Sequence, residues 1–196
     1  REALKILATK GLVLSRPRVG TIVCDEDNWN IIDPQFLTWH APFALDGKLF
    51  DAILETRRAI EPLVTELAAT RASLQEIADL EASWRGMAHA GNDLVQFSSS
   101  DITFHQILDT SSHNPIFRQI GNLINAALKI SLEATAVISP ERRAEAGAAH
   151  GQVVEALRMR DPEAARKAAL NILELAARDL NSAKELKKGP ATLAFP

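Results

Sequence analysis

The sequence has no tyrosine and a single cysteine, and only nine glycines and nine prolines fall among its 196 residues. One cysteine, Cys24, excludes both an internal disulfide framework and a zinc finger built on cysteines, and it suits a reducing compartment. No apolar run is long enough to cross a membrane, and no signal peptide is present. These absences predict a cytoplasmic protein without a membrane partner.

The residues that are present favour helices over sheets, because alanine and leucine dominate a composition that is 46% hydrophobic and 24% charged. From residue 47 onwards the pattern is helical, and the helix starts are marked by a capping box at Ser73 and Glu76 and by three Xaa-Pro pairs. Those pairs lie at 114–115, 139–140 and 161–162. The pattern predicts a mainly α fold, an antiparallel helical bundle, in which the helix after Pro115 ends near Val137.

Charge is unevenly distributed along the chain. The first 20 residues carry five basic side chains and one acidic one, a net charge of +4, whereas the remainder carries −7. A basic end on an acidic body indicates a module that contacts nucleic acid, attached to a domain of another kind. A short basic segment can also be merely solvated, so charge by itself leaves both readings open.

The first 24 residues contain a helix, a strand, a basic turn and a second strand. The helix ends at Gly11, and the strands are predicted at 12–15 and 21–24. This order matches the back half of a winged helix-turn-helix, preceded in the complete fold by helices that we expect to be missing here. A helix end offers side chains to a DNA groove and a wing offers them to phosphates. The predicted DNA-binding residues are Arg1, Lys5, Arg16 and Arg18.

Two polar side chains share the apolar face of a predicted helix near residue 100. Asp101 and His105 are four residues apart, so their side chains leave the same face of the helix. They could form a hydrogen-bonded structural pair, or they could be two ligands of a metal or effector site. His150 adds to the second reading. If the last two helices form a hairpin about Asp161, His150 and Ile172 lie at one level, about 16 Å from the turn.

The N-terminal motif resembles a known family. The run from Arg1 to Val13, with Leu4, Leu7 and Gly11, followed by an Arg-x-Gly-Thr wing, resembles the recognition helix and wing of GntR-family transcription regulators. In that family the arginine that opens the motif contacts DNA, which implies this role for Arg1. The connector at 25–46, with its two tryptophans, is similar to that of sugar-acid-responsive members, such as the galactonate-responsive type.

The helical part resembles the FCD ligand-binding domain of the FadR subfamily, through Glu55-x-Arg57, Glu61-Pro62, Asp101-x-x-x-His105, Asn114-Pro115 and His150. Members commonly hold a divalent metal with one aspartate and three histidines. The resemblance implies Asp101, His105 and His150 as metal ligands, but Ile172 stands where the third histidine is expected. Zinc is the first choice for these ligands, with nickel or manganese as alternatives. The other reading is a metal-free site, in which the same groups bind the effector directly. The residues implied in effector binding are Arg57, Asn114 and Asn171.

The resemblance therefore implies a homodimeric regulator that binds operator DNA and acts as a repressor. Its expected parts are the partial winged helix at 1–24, the connector at 25–46, the effector domain at 47–188 and a loose tail at 189–196. A small carboxylate, such as a sugar acid, is the expected effector, and no catalysis is expected. The alternative is a metal-dependent hydrolase built on a helical bundle, for which Glu145 and Glu155 are the available bases.

Overall fold

We describe a computed structural model of the chain that covers residues 1–40, 49–134 and 139–187. The chain divides into two compact units, Arg1–Pro42 and Phe43–Pro196. Within the described residues, no helix is both long enough and apolar enough to span a bilayer. Helices dominate the fold, as the composition predicts.

The first unit begins with helix α1, Glu2–Thr9, followed by strands β1, Val13–Arg16, and β2, Gly20–Val23. The strands pair antiparallel, with Arg16 opposite Gly20, so residues 17–19 form the tip of the hairpin. Gly11 has a φ of +71°, the left-handed conformation that commonly ends a helix. The predicted helix, strand, turn and strand are thus present, with each strand displaced by one residue at its ends.

The described part of the predicted connector belongs to the first unit and packs against the residues that precede it. It contains one 3-10 turn, Glu26–Asn28, and helix α2, Pro34–His40. The Trp29 indole Nε1 donates to the Cys24 carbonyl at 3.0 Å, and its ring lies 5.9 Å from that of Phe36. Lys10 Nζ also pairs with Asp33 Oδ1 at 2.7 Å. Residues 41–46 of the predicted connector lie outside the described part of the chain.

The second unit is a bundle of helices that begin where the sequence signals predict. The helices are α3, Leu49–Arg71; α4, Leu74–His89; α5, Leu94–Ser111; α6, Pro115–Ala134; α7, Pro140–Arg158; and α8, Pro162–Lys187. Ser73 and Glu76 form the predicted capping box, and the Ser139 hydroxyl accepts from the Arg142 amide. The predicted helix end near Val137 and the tail at 189–196 fall outside the described residues.

Helices α3 and α8 of this bundle run antiparallel. Ion pairs join opposite ends of α3 and α8: Asp51 pairs with Lys184 at 2.6 Å and Glu66 with Arg166 at 3.0 Å. Helices α7 and α8 form the hairpin predicted about Asp161. The core of the bundle is apolar, and the side chains with no exposed surface include Leu80, Phe104, Val153, Leu157 and Leu173. Burial of this apolar surface stabilises the bundle.

A tryptophan on α4 determines how closely α7 approaches. The Trp84 indole Nε1 donates to the Gly147 carbonyl at 2.8 Å. A Cβ on Gly151 would lie 2.9 Å from the Trp84 ring, so a larger residue there would force the ring or the helix to shift.

Candidate metal and effector site

Three predicted ligands converge inside the bundle. Asp101 and His105 project from α5 and His150 projects from α7, and these three residues are 4%, 6% and 2% exposed. His150 Nε2 lies 3.2 Å from Asp101 Oδ1 and 3.4 Å from His105 Nε2. One ligand atom from each of the three residues lies within 4.8 Å of the others. We call Asp101, His105 and His150 the triad.

Hydrogen bonding directs one ring nitrogen of His150 into the triad. Its Nδ1 lies 2.8 Å from the Ala146 carbonyl, which can only accept, so Nδ1 carries a proton. In the neutral ring, Nε2 then carries a lone pair that faces the Asp101 carboxylate, so both atoms are acceptors. Two acceptors at 3.2 Å require a proton or a bound cation between them.

The protonation states suit a cation. Burial disfavours the charged Asp101 carboxylate, but the surrounding His150, His105 and Arg57 hold the pKa of this carboxyl below the ordinary value. Burial also holds the pKa of His105 below its ordinary value, against the pull of Asp101. At neutral pH Asp101 is therefore ionised and His105 is neutral, as metal ligation requires.

The donor set fits a divalent metal. Ligand atoms that are bound to one tetrahedral ion at about 2.0–2.1 Å lie about 3.3 Å apart, close to the separations of 3.2 and 3.4 Å in the triad. Asp101 Oδ2 is buried and has no hydrogen-bond partner among the described residues. Ile172 is buried in the core on α8 and cannot act as a ligand. The chain thus supplies three ligands and leaves a further position open.

Arg57 lies beside the triad, but a carboxylate already occupies much of its guanidinium. Arg57 Nε donates to Glu61 Oε1 at 2.6 Å and its NH2 group donates to Glu61 Oε2 at 3.3 Å. Glu61 Oε2 in turn lies 3.9 Å from His105 Nδ1. Burial works against the charge of Glu61, but Arg57 and His105 outweigh it and lower the pKa of this carboxyl. Sequence reasoning assigned Glu61 no role.

Sequence reasoning also missed two polar residues at the α5–α6 contact. Asp109 follows His105 by one helical turn, and Asn125 on α6 donates to its Oδ2 at 3.4 Å. Burial, together with the negative charge of Glu61, raises the pKa of the Asp109 carboxyl to about 7. The spacing of 101, 105 and 109 could have indicated Asp109, since all three share a helix face. Nothing in the sequence points to Asn125.

The two predicted effector-binding asparagines have hydrogen-bond partners outside the triad. The Asn114 Oδ1 accepts from the Ile116 amide at 2.9 Å, so Asn114 caps α6. Asn171 Nδ2 donates to Gln152 Oε1 at 3.4 Å. Asn171 and Gln152 line a surface groove between α7 and α8 that also holds Met159.

The four predicted DNA-binding residues are exposed on the first unit. Arg1 precedes α1, and Lys5 on α1 pairs with Glu2 at 2.9 Å. Arg16 ends β1, and Arg18 occupies the hairpin tip with a φ of +65°. Their side chains are thus free of the first unit's interior, as contact with phosphates or a groove requires.

Relatives of the chain are transcription regulators. The chain is 28% identical to the galactonate operon transcriptional repressor of Escherichia coli K12, over 92% of this chain and 79% of the relative. It is 30% identical to the E. coli regulator YieP, over 88% of this chain and 74% of the relative. It also shares 30% identity with the repressor NanR of Salmonella newport, over 86% of this chain and 65% of that one.

Solved structures show the same fold. A GntR protein of Streptococcus agalactiae aligns with a TM-score of 0.62 at 23% identity, over 91% of this chain and 79% of that one. McbR/YncC of E. coli aligns with a TM-score of 0.64 at 18% identity, over 92% and 78%. The family model of the FCD domain matches residues 52–175, which include the whole triad. The chain therefore belongs to the GntR family of transcription regulators and carries its FCD domain.

Proposed function

We propose that the helical bundle senses a small carboxylate, of the sugar-acid type, at the triad, and that a divalent metal completes this site. The observation that carries the proposal is the convergence of three buried ligand atoms within 4.8 Å of one another. Burying a carboxylate and two imidazoles without function is costly, because each must find a partner away from water.

Asp101, His105 and His150 would hold the metal, with zinc as the first choice and nickel or manganese as alternatives. When bound, the metal would supply positive charge for a carboxylate of the effector. Because the third histidine of the family pattern is replaced by Ile172, the protein leaves room in the ligand set for an effector oxygen. The same replacement weakens the hold of the protein on the ion.

The class of effector is inferred from charge and from the relatives. Arg57 is buried beside the triad, and its guanidinium keeps donors beyond the two that bond to Glu61. A planar cation in a dry site suits a carboxylate. One relative is named as a galactonate operon repressor, and galactonate is a sugar acid. Asn114, which caps α6, and Asn171, in the groove between α7 and α8, are the further residues proposed to contact the effector.

Regulation would couple this site to DNA. Arg1, Lys5, Arg16 and Arg18 would contact operator DNA, and a homodimer would present two such heads to two half-sites. An effector can change DNA affinity only if it binds one state of the dimer more tightly than the other. We propose a repressor that acts in the cytoplasm, since the relatives are bacterial regulators.

The alternative of a hydrolase gains no support from the site. Glu145 is held by Arg178 at 2.7 Å on the surface, and Glu155 faces the groove between α7 and α8. Neither carboxylate is placed to activate a water at the triad, and the relatives are regulators rather than enzymes.

The test is a thermal-shift screen of hydroxy and sugar acids, galactonate included, with and without added zinc. A ligand at 100 times its Kd stabilises the folded protein by about 2.7 kcal/mol. We expect saturable stabilisation that depends on zinc and no turnover of the acid. The Asp101→Ala variant should lose both bound metal and the response to acids.

Asp179→Asn is the matched control, since Asp179 is a buried carboxylate that pairs with Arg142 away from the triad. It should bind metal and acids as the parent does. Unchanged metal stoichiometry in the Asp101→Ala variant would overturn the metal assignment. If no acid stabilises the parent protein, the proposed class of effector is wrong.

A further inference from the structure

Two residues of helix α6, Gly121 and Asn125, lie against the Asp109 carboxyl. The Asn125 amide reaches Asp109 Oδ2 at 3.4 Å, and a Cβ on Gly121 would overlap that same oxygen. Gly121 and Asn125 are one turn apart on α6, so they share a helix face. Asp109 shares the inner face of α5 with Asp101 and His105. The contact thus lies one helical turn beyond the triad.

Polar atoms at this contact are left unpaired. Asn125 is 6% exposed, yet its Oδ1 has no hydrogen-bond partner among the described residues. In the triad, Asp101 Oδ2 is likewise buried and has no hydrogen-bond partner within the described part of the chain. An unpaired buried oxygen costs about 1–3 kcal/mol. Such atoms are rare in folded proteins unless a ligand or water completes them.

The chemistry of these atoms identifies what could complete them. The unpaired Asn125 Oδ1 is an amide oxygen, so it accepts hydrogen bonds from hydroxyl groups. At neutral pH the Asp109 carboxyl is protonated for part of the time, so it can donate to a hydroxyl as well as accept from it. Arg57 stabilises the charges of both Asp101 and Asp109, which places both carboxyls within its electrostatic reach.

The geometry points to a hydroxyl-binding subsite, formed by Asn125 and Asp109, which selects hydroxylated acids over plain alkanoates of the same length. This inference rests on the proposed function, because it takes the acid carboxylate to be held at the triad and Arg57. The remainder of the effector would then extend along α5 towards α6. A site that is built to hydrogen-bond a hydroxyl rejects the analogue without it, since its own polar atoms stay unpaired.

The experiment compares Kd values by calorimetry for zinc-loaded protein with two matched pairs of probes, gluconate against hexanoate and glycerate against propanoate. The parent should prefer the hydroxylated member of at least one pair. Asn125→Leu, which has a similar shape but no polar atoms, should reduce that preference at least about tenfold by weakening the hydroxylated acid. Affinity for the alkanoate and the zinc content should stay unchanged.

A second variant keeps the subsite testable if Asn125→Leu does not fold. Gly121→Ala should displace the Asp109 carboxyl and reduce the same preference, and Asn181→Leu, at an exposed amide on α8, should leave it unchanged. An unchanged preference in folded Asn125→Leu and Gly121→Ala proteins would overturn the subsite while leaving the proposed function intact. If the parent binds no acid of either pair, or binds both members of each pair equally well, the subsite is also wrong. If the parent binds no acid at all, the proposed function is wrong as well.

Discussion

Arg57 and Glu61 form a two-point ion pair one helical turn apart on α3, and both side chains are more than nine-tenths buried. The pair joins the guanidinium to His105 through Glu61 Oε2, which lies 3.9 Å from His105 Nδ1. Arg57 is therefore both a structural residue and a fixed cation beside the triad. Loss of either partner leaves the charge of the other buried without a counterion.

We expect Arg57→Ala and Glu61→Ala each to lower the free energy of unfolding by about 3–5 kcal/mol, because each leaves the other charge uncompensated. The double variant Arg57→Met with Glu61→Leu should recover much of that loss, since it removes both charges. Urea denaturation measures all three. A double variant that is less stable than either single variant would contradict the ion-pair account.

Ile172→His should tighten zinc binding by about tenfold or more, because it restores the imidazole at the position that the family pattern gives to a ligand, and even outer-shell partners are worth 10–100-fold. Competition against a chelating dye measures the zinc Kd. Ile172→Gln is the control for polarity without an imidazole. Equal zinc affinity in the two variants would show that residue 172 does not face the triad.

Gly151→Ala should lower the free energy of unfolding by about 1–3 kcal/mol, because its methyl group meets the Trp84 ring at 2.9 Å and overpacks the α4–α7 contact. Gly147→Ala is the matched control on the same helix. A Cβ there meets no atom within 4 Å, so alanine should be neutral or stabilise by up to about 1 kcal/mol. Denaturant unfolding distinguishes the two; equal losses would refute the close-contact explanation.

Asp109→Asn should make the protein more stable at pH 8 than the parent, with a difference that shrinks by pH 4. The folded protein raises the pKa of this carboxyl from 3.8 to about 7, so it binds the proton more tightly than the unfolded chain. The contribution of Asp109 to stability therefore falls as pH rises from 3.8 towards 7 and stays low above that. Thermal unfolding in a chelator, across this range, measures it. A difference independent of pH would contradict the raised pKa.

Local signals in the sequence determined most of the secondary structure. The capping box at Ser73, the prolines at 115, 140 and 162, and Gly11 mark helix ends through backbone geometry that depends on a few neighbouring residues. Helical periodicity likewise determined that Asp101 and His105 share a face. The family resemblance identified the chain as a regulator and named His150 as the third member of the set.

Tertiary structure alone decided which side chains meet across helices. Glu61 approaches His105, 44 positions along the chain, and Asn125 reaches Asp109, 16 positions away. Such contacts depend on helix packing and rotamers, which no local pattern encodes. The same packing placed Asn171 in the groove between α7 and α8. The sequence therefore determined the helices and the ligand types, and packing decided which of these residues form one buried site.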